Sequence, residues 1–189
     1  MNMHIPLLVN GLERAASGGR TYTRVNPFTQ QVATTASAAS LEDAVAAVEA
    51  ASAAFPTWSK TGPGERRKIL LKAADIMEAK APEFTELVIA ETGATGAWAG
   101  FNVMVAAGML REAASMTTQI SGEVIPSNKP GSLSMGMRQA VGVCLGIAPW
   151  NAPIILGTRA VAMPLACGKT SARLRANSIQ IRKQTPDVR

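Results

Sequence analysis

The sequence has few of the residues that cross-link small secreted domains or bind metals. Its 189 residues include 2 cysteines and 1 histidine, and aromatic residues make up 4%. Two cysteines are too few for a disulfide framework, and a lone His4 near the start of the chain is assigned no role, so we assign no metal ligands. Because Cys144 and Cys167 lie among apolar neighbours, we expect buried, reduced thiols and a cytoplasmic protein.

Charged residues are also scarce, at 17%, and the uncharged stretch 139–158 is as long as a membrane-spanning helix. Pro149, Asn151 and Pro153 interrupt it. A strand, a turn and a helix that enter a folded core explain this stretch better than a span does. The first residues lack a basic segment and a long apolar run, so no signal peptide is predicted. We therefore expect no membrane partner.

The net charge of +6 is unevenly distributed. Residues 1–168 contain 13 basic and 12 acidic side chains, whereas residues 169–189 contain 6 basic and 1 acidic. The excess charge thus belongs to the last segment, which has no aromatic side chain to stack on bases. We expect no nucleic-acid partner, and weak polyanion binding by this segment is a minor alternative.

Short strands and turns are predicted before residue 36. The apolar run Leu7–Val9 is followed by Asn10-Gly11, a strong hairpin signal. Residues 21–25 alternate like a strand, and Asn26-Pro27 predicts the next turn.

Helices are predicted from residue 41 to about residue 119. Ser40 and Asp43 have capping-box spacing and predict a helix that ends near Phe55. Pro63 and Pro82 suit the first turns of two further helices. The first of these has an apolar face at helical spacing, formed by Ile69, Leu70, Ala73, Ala74, Ile76 and Met77.

The rest of the predicted order leads into a sheet. Gly93 ends the helix that starts near Pro82, and residues 95–119 predict a helix buried on most sides. Residues 125–138 predict a linker with a strand near 133–137. A strand at 141–147 then leads directly into a helix at 153–167.

This order predicts an α/β fold. A strand that leads directly into a helix is the opening of a doubly wound, Rossmann-like parallel sheet, here preceded by an N-terminal β-hairpin and a helical segment. Because a parallel strand needs neighbours that the remaining residues do not provide, we expect the sheet to be truncated.

Several motifs occur in a characteristic order. They are Val25-Asn-Pro-Phe-Thr29, Ala54-Phe-Pro-Thr-Trp58, Arg66 before an amphipathic helix, Glu91-Thr-Gly93, Arg138 with Gly142-Val143, and Ile147-Ala-Pro-Trp-Asn151. Together, over residues 6–168, they resemble the N-terminal part of the aldehyde dehydrogenase superfamily. The run from residue 91 to 125 resembles members that act on aromatic aldehydes, the salicylaldehyde and vanillin dehydrogenase types.

The resemblance implies oxidation of an aldehyde to a carboxylic acid with NAD or NADP. In the family a cysteine thiolate attacks the aldehyde, and an Asn amide holds the resulting oxyanion. Hydride then passes to the cofactor, and a Glu-activated water releases the acid. Asn151 matches the oxyanion Asn, and Ile147, Ala148, Pro149 and Trp150 match the segment along the cofactor. Alternatively, Asn151 only caps the helix that follows.

Two further residues are candidate contacts for an aromatic substrate. Trp98 could face the substrate or belong to the core. Arg159 lies eight residues after Asn151, about two helical turns. Its cation could meet a phenol or carboxylate, or pair with a structural acid.

The resemblance stops after residue 168. The family continues with an apolar strand and a cofactor-contacting Lys, which the basic residues 169–189 do not reproduce. We expect this segment to be a non-family, disordered tail, and residues 1–168 to be an N-terminal fragment of the family's domain. Neither Cys144 nor Cys167 is accompanied by a His or by a cluster of basic residues that would activate a thiolate, so we assign neither as the nucleophile. The family's nucleophile and general base are expected beyond this chain.

The sequence thus predicts an aldehyde dehydrogenase by family whose 189 residues alone are inactive. The resemblance implies a homo-oligomer for intact members of the family. The alternative from another class is a non-catalytic fragment that associates with an intact homologue.

Overall fold

The computed structural model describes residues 3–175 of the chain. Its α-helices are α1 Leu41–Trp58, α2 Pro63–Ala79, α3 Ala81–Thr92, α4 Gly96–Met116 and α5 Pro153–Ala166. Its strands are β1 Met3–Ile5, β2 Leu7–Val9, β3 Leu12–Arg14, β4 Thr21–Val25, β5 Val32–Ser37, β6 Glu123–Ile125, β7 Ser134–Gly136, β8 Val143–Ala148 and β9 Thr170–Arg175. None of the described helices is both long enough and apolar enough to cross a membrane.

The predicted N-terminal hairpin is confirmed. Strands β2 and β3 pair antiparallel, and the connecting Asn10 and Gly11 have positive φ angles of 53° and 75°. Positive φ at both positions is the backbone of a two-residue primed turn. Next to the hairpin, a three-stranded sheet has the order β1-β5-β4, with β1 parallel and β4 antiparallel to β5.

Helix α1 begins with the predicted capping box. The Ser40 hydroxyl accepts a hydrogen bond from the Asp43 backbone N–H at 3.2 Å, and the Asp43 carboxylate accepts one from the Ser40 N–H at 2.9 Å. The same carboxylate accepts hydrogen bonds from the backbone N–H and hydroxyl of Ser17, at 2.9 and 2.7 Å. The hydrogen bond from the Ser40 backbone and those from Ser17 lower the pKa of Asp43 to about 2.

The helical core lies where α2, α4 and α5 meet, and alanine dominates it. The buried cluster consists of Leu70, Ala74, Ala107, Leu110, Ala113, Ala114, Ala162 and Ala166. Because most of these side chains are small, the helices can approach one another closely.

Two predicted faces are only partly buried. On α2, Ile69 and Ile76 are 45% and 48% exposed, although both belong to the predicted apolar face. The expectation that α4 is buried on most sides is also wrong, because Met104 is 61% exposed. The neighbouring helices cover the alanine-rich stripe of α4 and leave Trp98, Phe101 and Met104 on its other face exposed.

The linker between α4 and β8 contains a second hairpin. The predicted strand near residues 133–137 is confirmed as β7, which pairs antiparallel with β6.

The end of the described chain is a parallel strand–helix–strand unit, as an α/β fold requires. Strands β8 and β9 run parallel, from Val143 opposite Thr170 to Ala148 opposite Arg175. Helix α5 lies directly on β8, since a Cβ added to Gly146 would be 3.0 Å from the Ala160 Cβ.

Strand β9 corrects the expectation that no strand follows residue 168. Gly168 has a φ of 75° and lies at the turn between α5 and β9. Thr170 and Ala172 are buried, and α1 packs against the strand. Small side chains suffice here because backbone hydrogen bonds to β8 hold the strand. The remainder of the predicted tail, 176–189, lies outside the described residues.

Two long side chains hold the C-terminal end of α5. The Trp58 indole N–H donates to the Leu165 carbonyl at 3.2 Å, and the Arg66 Nε–H donates to the Ala166 carbonyl at 3.0 Å. The buried Arg66 guanidinium also donates to the Thr61 carbonyl. These bonds satisfy helix-end carbonyls that have no partner within the helix, and the cation suits the negative end of the helix dipole.

Candidate active site

The segment predicted to carry the site lies at the carboxyl end of β8. Ile147 and Trp150 are 58% and 47% exposed, whereas Ala148 is buried. Pro149 and Asn151 are both exposed. In parallel α/β sheets, ligands bind outside this end of the strands. The predicted cofactor segment therefore has an exposed apolar surface at the edge where a ligand would bind.

Asn151 does not cap helix α5. The N-cap residue is Ala152, which makes no side-chain capping bond, and Pro153 occupies the first helical turn. A proline at this position has no N–H that would need a cap. The Asn151 side chain makes no hydrogen bond with any residue between 3 and 175. Its amide is thus free to serve as a hydrogen-bond donor.

Trp98 and Asn151 are brought together although 53 residues separate them in the chain. The Trp98 indole N–H donates to the Asn151 backbone carbonyl at 3.2 Å. The indole also stacks on Phe101, with ring centroids 5.6 Å apart and an interplanar angle of 26°. Trp98 is 42% exposed, so the alternative that it is an ordinary core residue does not hold.

Arg159 lies on α5 with its side chain exposed. No acidic side chain among the described residues forms an ion pair with it, which removes support for the alternative of a structural salt bridge. No described hydrogen bond joins it to Trp98 or Asn151. The structure therefore leaves this cation available for a ligand.

A cleft that the sequence does not indicate lies against the same segment. It encloses about 200 Å³ between α3, β4 and residues 148–150. At its wall the Arg24 guanidinium pairs with Glu91 at 2.9 Å, and the Thr34 hydroxyl donates to the other Glu91 oxygen at 2.7 Å. The Glu91-Thr-Gly93 motif was the available signal, but its partners come from strands 57 and 67 residues earlier.

Both cysteines are free and half-buried, so the expectation that they are buried is corrected. Cys144 lies on β8, and Cys167 is the C-cap residue of α5.

Comparison with known proteins places this geometry in a family. A model of the aldehyde dehydrogenase family matches residues 14–172. The chain belongs to the aldehyde dehydrogenase family. The match extends into β9, past the domain boundary that the sequence suggests at residue 168. The resemblance read from the motifs is confirmed.

Several relatives of this aldehyde dehydrogenase chain are dehydrogenases of aromatic aldehydes. Vanillin dehydrogenase from Pseudomonas sp. strain HR199 is 62% identical over 167 residues, 88% of this chain and 34% of the relative. Salicylaldehyde dehydrogenase from Pseudomonas sp. strain C18 is 47% identical over 168 residues, 89% of this chain and 35% of the relative. The chain thus spans about a third of the length of these relatives.

Solved structures share the fold. The salicylaldehyde dehydrogenase of Pseudomonas putida G7, in complex with salicylaldehyde, superposes with a TM-score of 0.89 and is 46% identical, covering 91% of this chain and 36% of its own. The NAD-dependent benzaldehyde dehydrogenase of Corynebacterium glutamicum gives a TM-score of 0.83 at 34% identity, covering 88% and 36%. The mixed α/β fold predicted from the sequence is therefore confirmed.

Proposed function

We propose that this chain supplies one wall of an active site that oxidises an aromatic aldehyde to the carboxylic acid. The observation that carries the proposal is the free Asn151 amide, which lies at the carboxyl end of β8 and is tied through its backbone to Trp98 at 3.2 Å. An amide N–H fixed at such a place stabilises the negative charge that develops on the carbonyl oxygen when a nucleophile attacks.

Ile147, Ala148, Pro149 and Trp150 would hold the NAD or NADP. The exposed apolar side chains of Ile147, Pro149 and Trp150 lie beside Asn151 and suit a flat nicotinamide ring. Several structural relatives are NAD- or NADP-dependent. The cofactor, when bound, accepts a hydride from the aldehyde carbon. The chain's own part is to provide an apolar wall and to keep Asn151 next to it.

Trp98 and Arg159 are proposed contacts for the aromatic ring and its substituents. The half-exposed indole offers an apolar surface, and the unpaired guanidinium can meet a phenolic oxygen or a carboxylate. The vanillin and salicylaldehyde dehydrogenases among the relatives support an aromatic substrate. Two free cysteines support the expectation of a cytoplasmic protein.

The 189 residues alone are proposed to be inactive. Neither Cys144 nor Cys167 is assigned as the nucleophile, and no general base is assigned. The alternative is that the 189-residue chain is a non-catalytic fragment. Its proposed partner is then a full-length relative, with which it forms a mixed assembly. Co-purification with such a relative, at a defined stoichiometry, would favour this alternative.

A chimera tests the proposed function. In it, residues 1–172 replace the matching third of Pseudomonas vanillin dehydrogenase, and NADH formation from vanillin is measured. We expect turnover, and a decrease in kcat of about 10²–10³-fold for Asn151→Ala. Cys144→Ser should retain the activity. Unchanged turnover in Asn151→Ala would contradict the assigned role, and loss of turnover in Cys144→Ser would show that this thiol is used.

A further inference from the structure

The turn that carries Asn151 has few anchors of its own. It lies between Pro149 and Pro153, and neither proline can donate a backbone hydrogen bond. Ala152, the N-cap of α5, has φ −142° and ψ 67° and makes no side-chain capping bond. Because Asn151 is exposed, packing alone does not fix its position. Among the described residues, one hydrogen bond reaches Asn151 from outside this turn. It is the bond from the Trp98 indole N–H to the Asn151 backbone carbonyl.

Trp98 is itself held from three directions. Its backbone N–H donates to the Thr95 hydroxyl at 3.2 Å in the first turn of α4, and its ring stacks on Phe101. Its carbonyl accepts a hydrogen bond from the Asn102 side-chain amide at 3.0 Å. Asn102 is fully buried. The indole therefore projects from a well-ordered helix start.

The Asn102 side chain is an unusual choice for this position. It lies on the buried stripe of α4 among alanines, and its Oδ1 atom has no hydrogen-bond partner within the described residues. A buried acceptor without a partner is destabilising, and an alanine here would avoid that cost. The amide does, however, secure the backbone of the residue whose indole reaches Asn151.

We infer that Trp98 is a positioning residue, whose indole N–H fixes the turn that presents the Asn151 amide, and that Asn102 secures Trp98 in turn. This inference rests on the proposed role of Asn151. It adds a second role to Trp98, separate from any ring contact with a substrate. Removal of the N–H, with the ring kept in place, isolates the positioning role.

The first test uses the unaltered chain. Trp98 and Trp150 are similarly exposed, at 42% and 47%, but only the Trp98 indole has a described hydrogen-bond acceptor. Solvent exchange of the two indole protons is measured by NMR on the ¹⁵N-labelled 189-residue chain. We expect exchange about fivefold slower at Trp98. Equal exchange rates would overturn the inference without any variant having to fold.

The second test replaces Trp98 by benzothienylalanine, in which sulfur takes the place of the N–H. The matched control is the same replacement at Trp58, which makes an equivalent 3.2 Å bond at the other end of α5. For Asn151 we expect the backbone order parameter to fall from about 0.85 to below about 0.6 in the Trp98 analogue only. No change, or an equal fall in both analogues, would overturn the inference.

These readouts do not depend on turnover. If the order parameter falls but the chimera shows no Asn151 effect, the positioning role stands and the proposed function fails. If the chimera loses activity in Asn151→Ala but the order parameter does not change, the proposed function stands and the positioning role fails.

Discussion

The two ends of helix α5 are held by the same kind of bond in different surroundings. At the C-terminal end, Trp58 and the buried Arg66 donate to Leu165 and Ala166. At the N-terminal end, the half-exposed Trp98 donates to Asn151, just before the helix begins. The first end is held by two donors, one of which is a buried cation. Among residues 3–175, the second end is held by one side-chain donor, which lies at the surface.

This difference separates a structural task from a functional one. Two bonds at the C-terminal end hold the helix just before the turn at Gly168, which leads into β9. At the N-terminal end, the single bond uses the backbone carbonyl of Asn151 and leaves its side-chain amide unpaired. A helix can thus be anchored rigidly at one end and still offer a free donor at the other.

The largest expected effect comes from breaking the C-terminal anchor. Arg66→Met removes the bonds to Thr61 and Ala166 and leaves the buried Ala166 carbonyl without its side-chain donor, so we expect a loss of about 3 kcal/mol in the free energy of unfolding. Urea unfolding measures it. The control is Arg67→Met, because Arg67 donates to the C-terminal end of α4 from a half-buried site. It should lose about 1 kcal/mol, and equal losses would show that the buried Arg66 anchors its helix end no better than the half-buried Arg67 does.

A smaller effect is expected from a substitution that crowds the middle of α5. Gly146→Ala would bring a methyl group within 3.0 Å of the Ala160 Cβ, and we expect a loss of about 2 kcal/mol in the free energy of unfolding. Gly108→Ala on α4 is the control, because nothing lies within 4 Å of the added Cβ.

The same substitution tests whether the two ends of α5 are held equally well. Because the C-terminal end is doubly anchored, α5 should yield at its N-terminal end. We expect the NMR signals of Asn151 to shift more than those of Cys167 in Gly146→Ala. Equal shifts at both residues would show that the two ends are held equally well.

The smallest effect concerns a helix start of the opposite kind. Unlike α5, α1 has a carboxylate, that of Asp43, in the capping box of its first turn. Hydrogen bonds lower the pKa of Asp43 from 3.8 to about 2. Because the folded-state pKa is the lower one, the stabilisation is complete above about pH 4 and is lost as the pH falls towards 2. We expect the urea midpoint to fall over this range, and to fall less steeply in Asp43→Asn. Identical slopes would refute this prediction.

Local signals in the sequence were sufficient for most element boundaries. The Asn10-Gly11 turn, the capping box at Ser40 and the Pro63 start each depend on residues within a few positions of one another. Gly93 ends α3 with a φ of 71°, a conformation that glycine adopts without strain. These features follow from backbone preferences that neighbouring residues determine.

Features that depend on distant parts of the chain could not be read in this way. The bonds from Trp98 to Asn151 and from Arg66 to Ala166 span 53 and 100 residues. Strand β9 has no apolar run that would predict it. It forms where β8 offers a partner edge and α1 packs against it. The exposed isoleucines of α2 show that periodicity defines a face but not which part of it a neighbour covers.

The anchors of α5 also have a fixed order of synthesis. Trp58, Arg66 and Trp98 all precede the carbonyls that they bind at Asn151, Leu165 and Ala166. Chains emerge from the ribosome N-terminus first, at about 5–20 residues per second. Helices α1, α2 and α4 are therefore made several seconds before α5 is complete. The donors that bind both ends of α5 are thus synthesised before the helix itself, and they can bind its ends as soon as it forms.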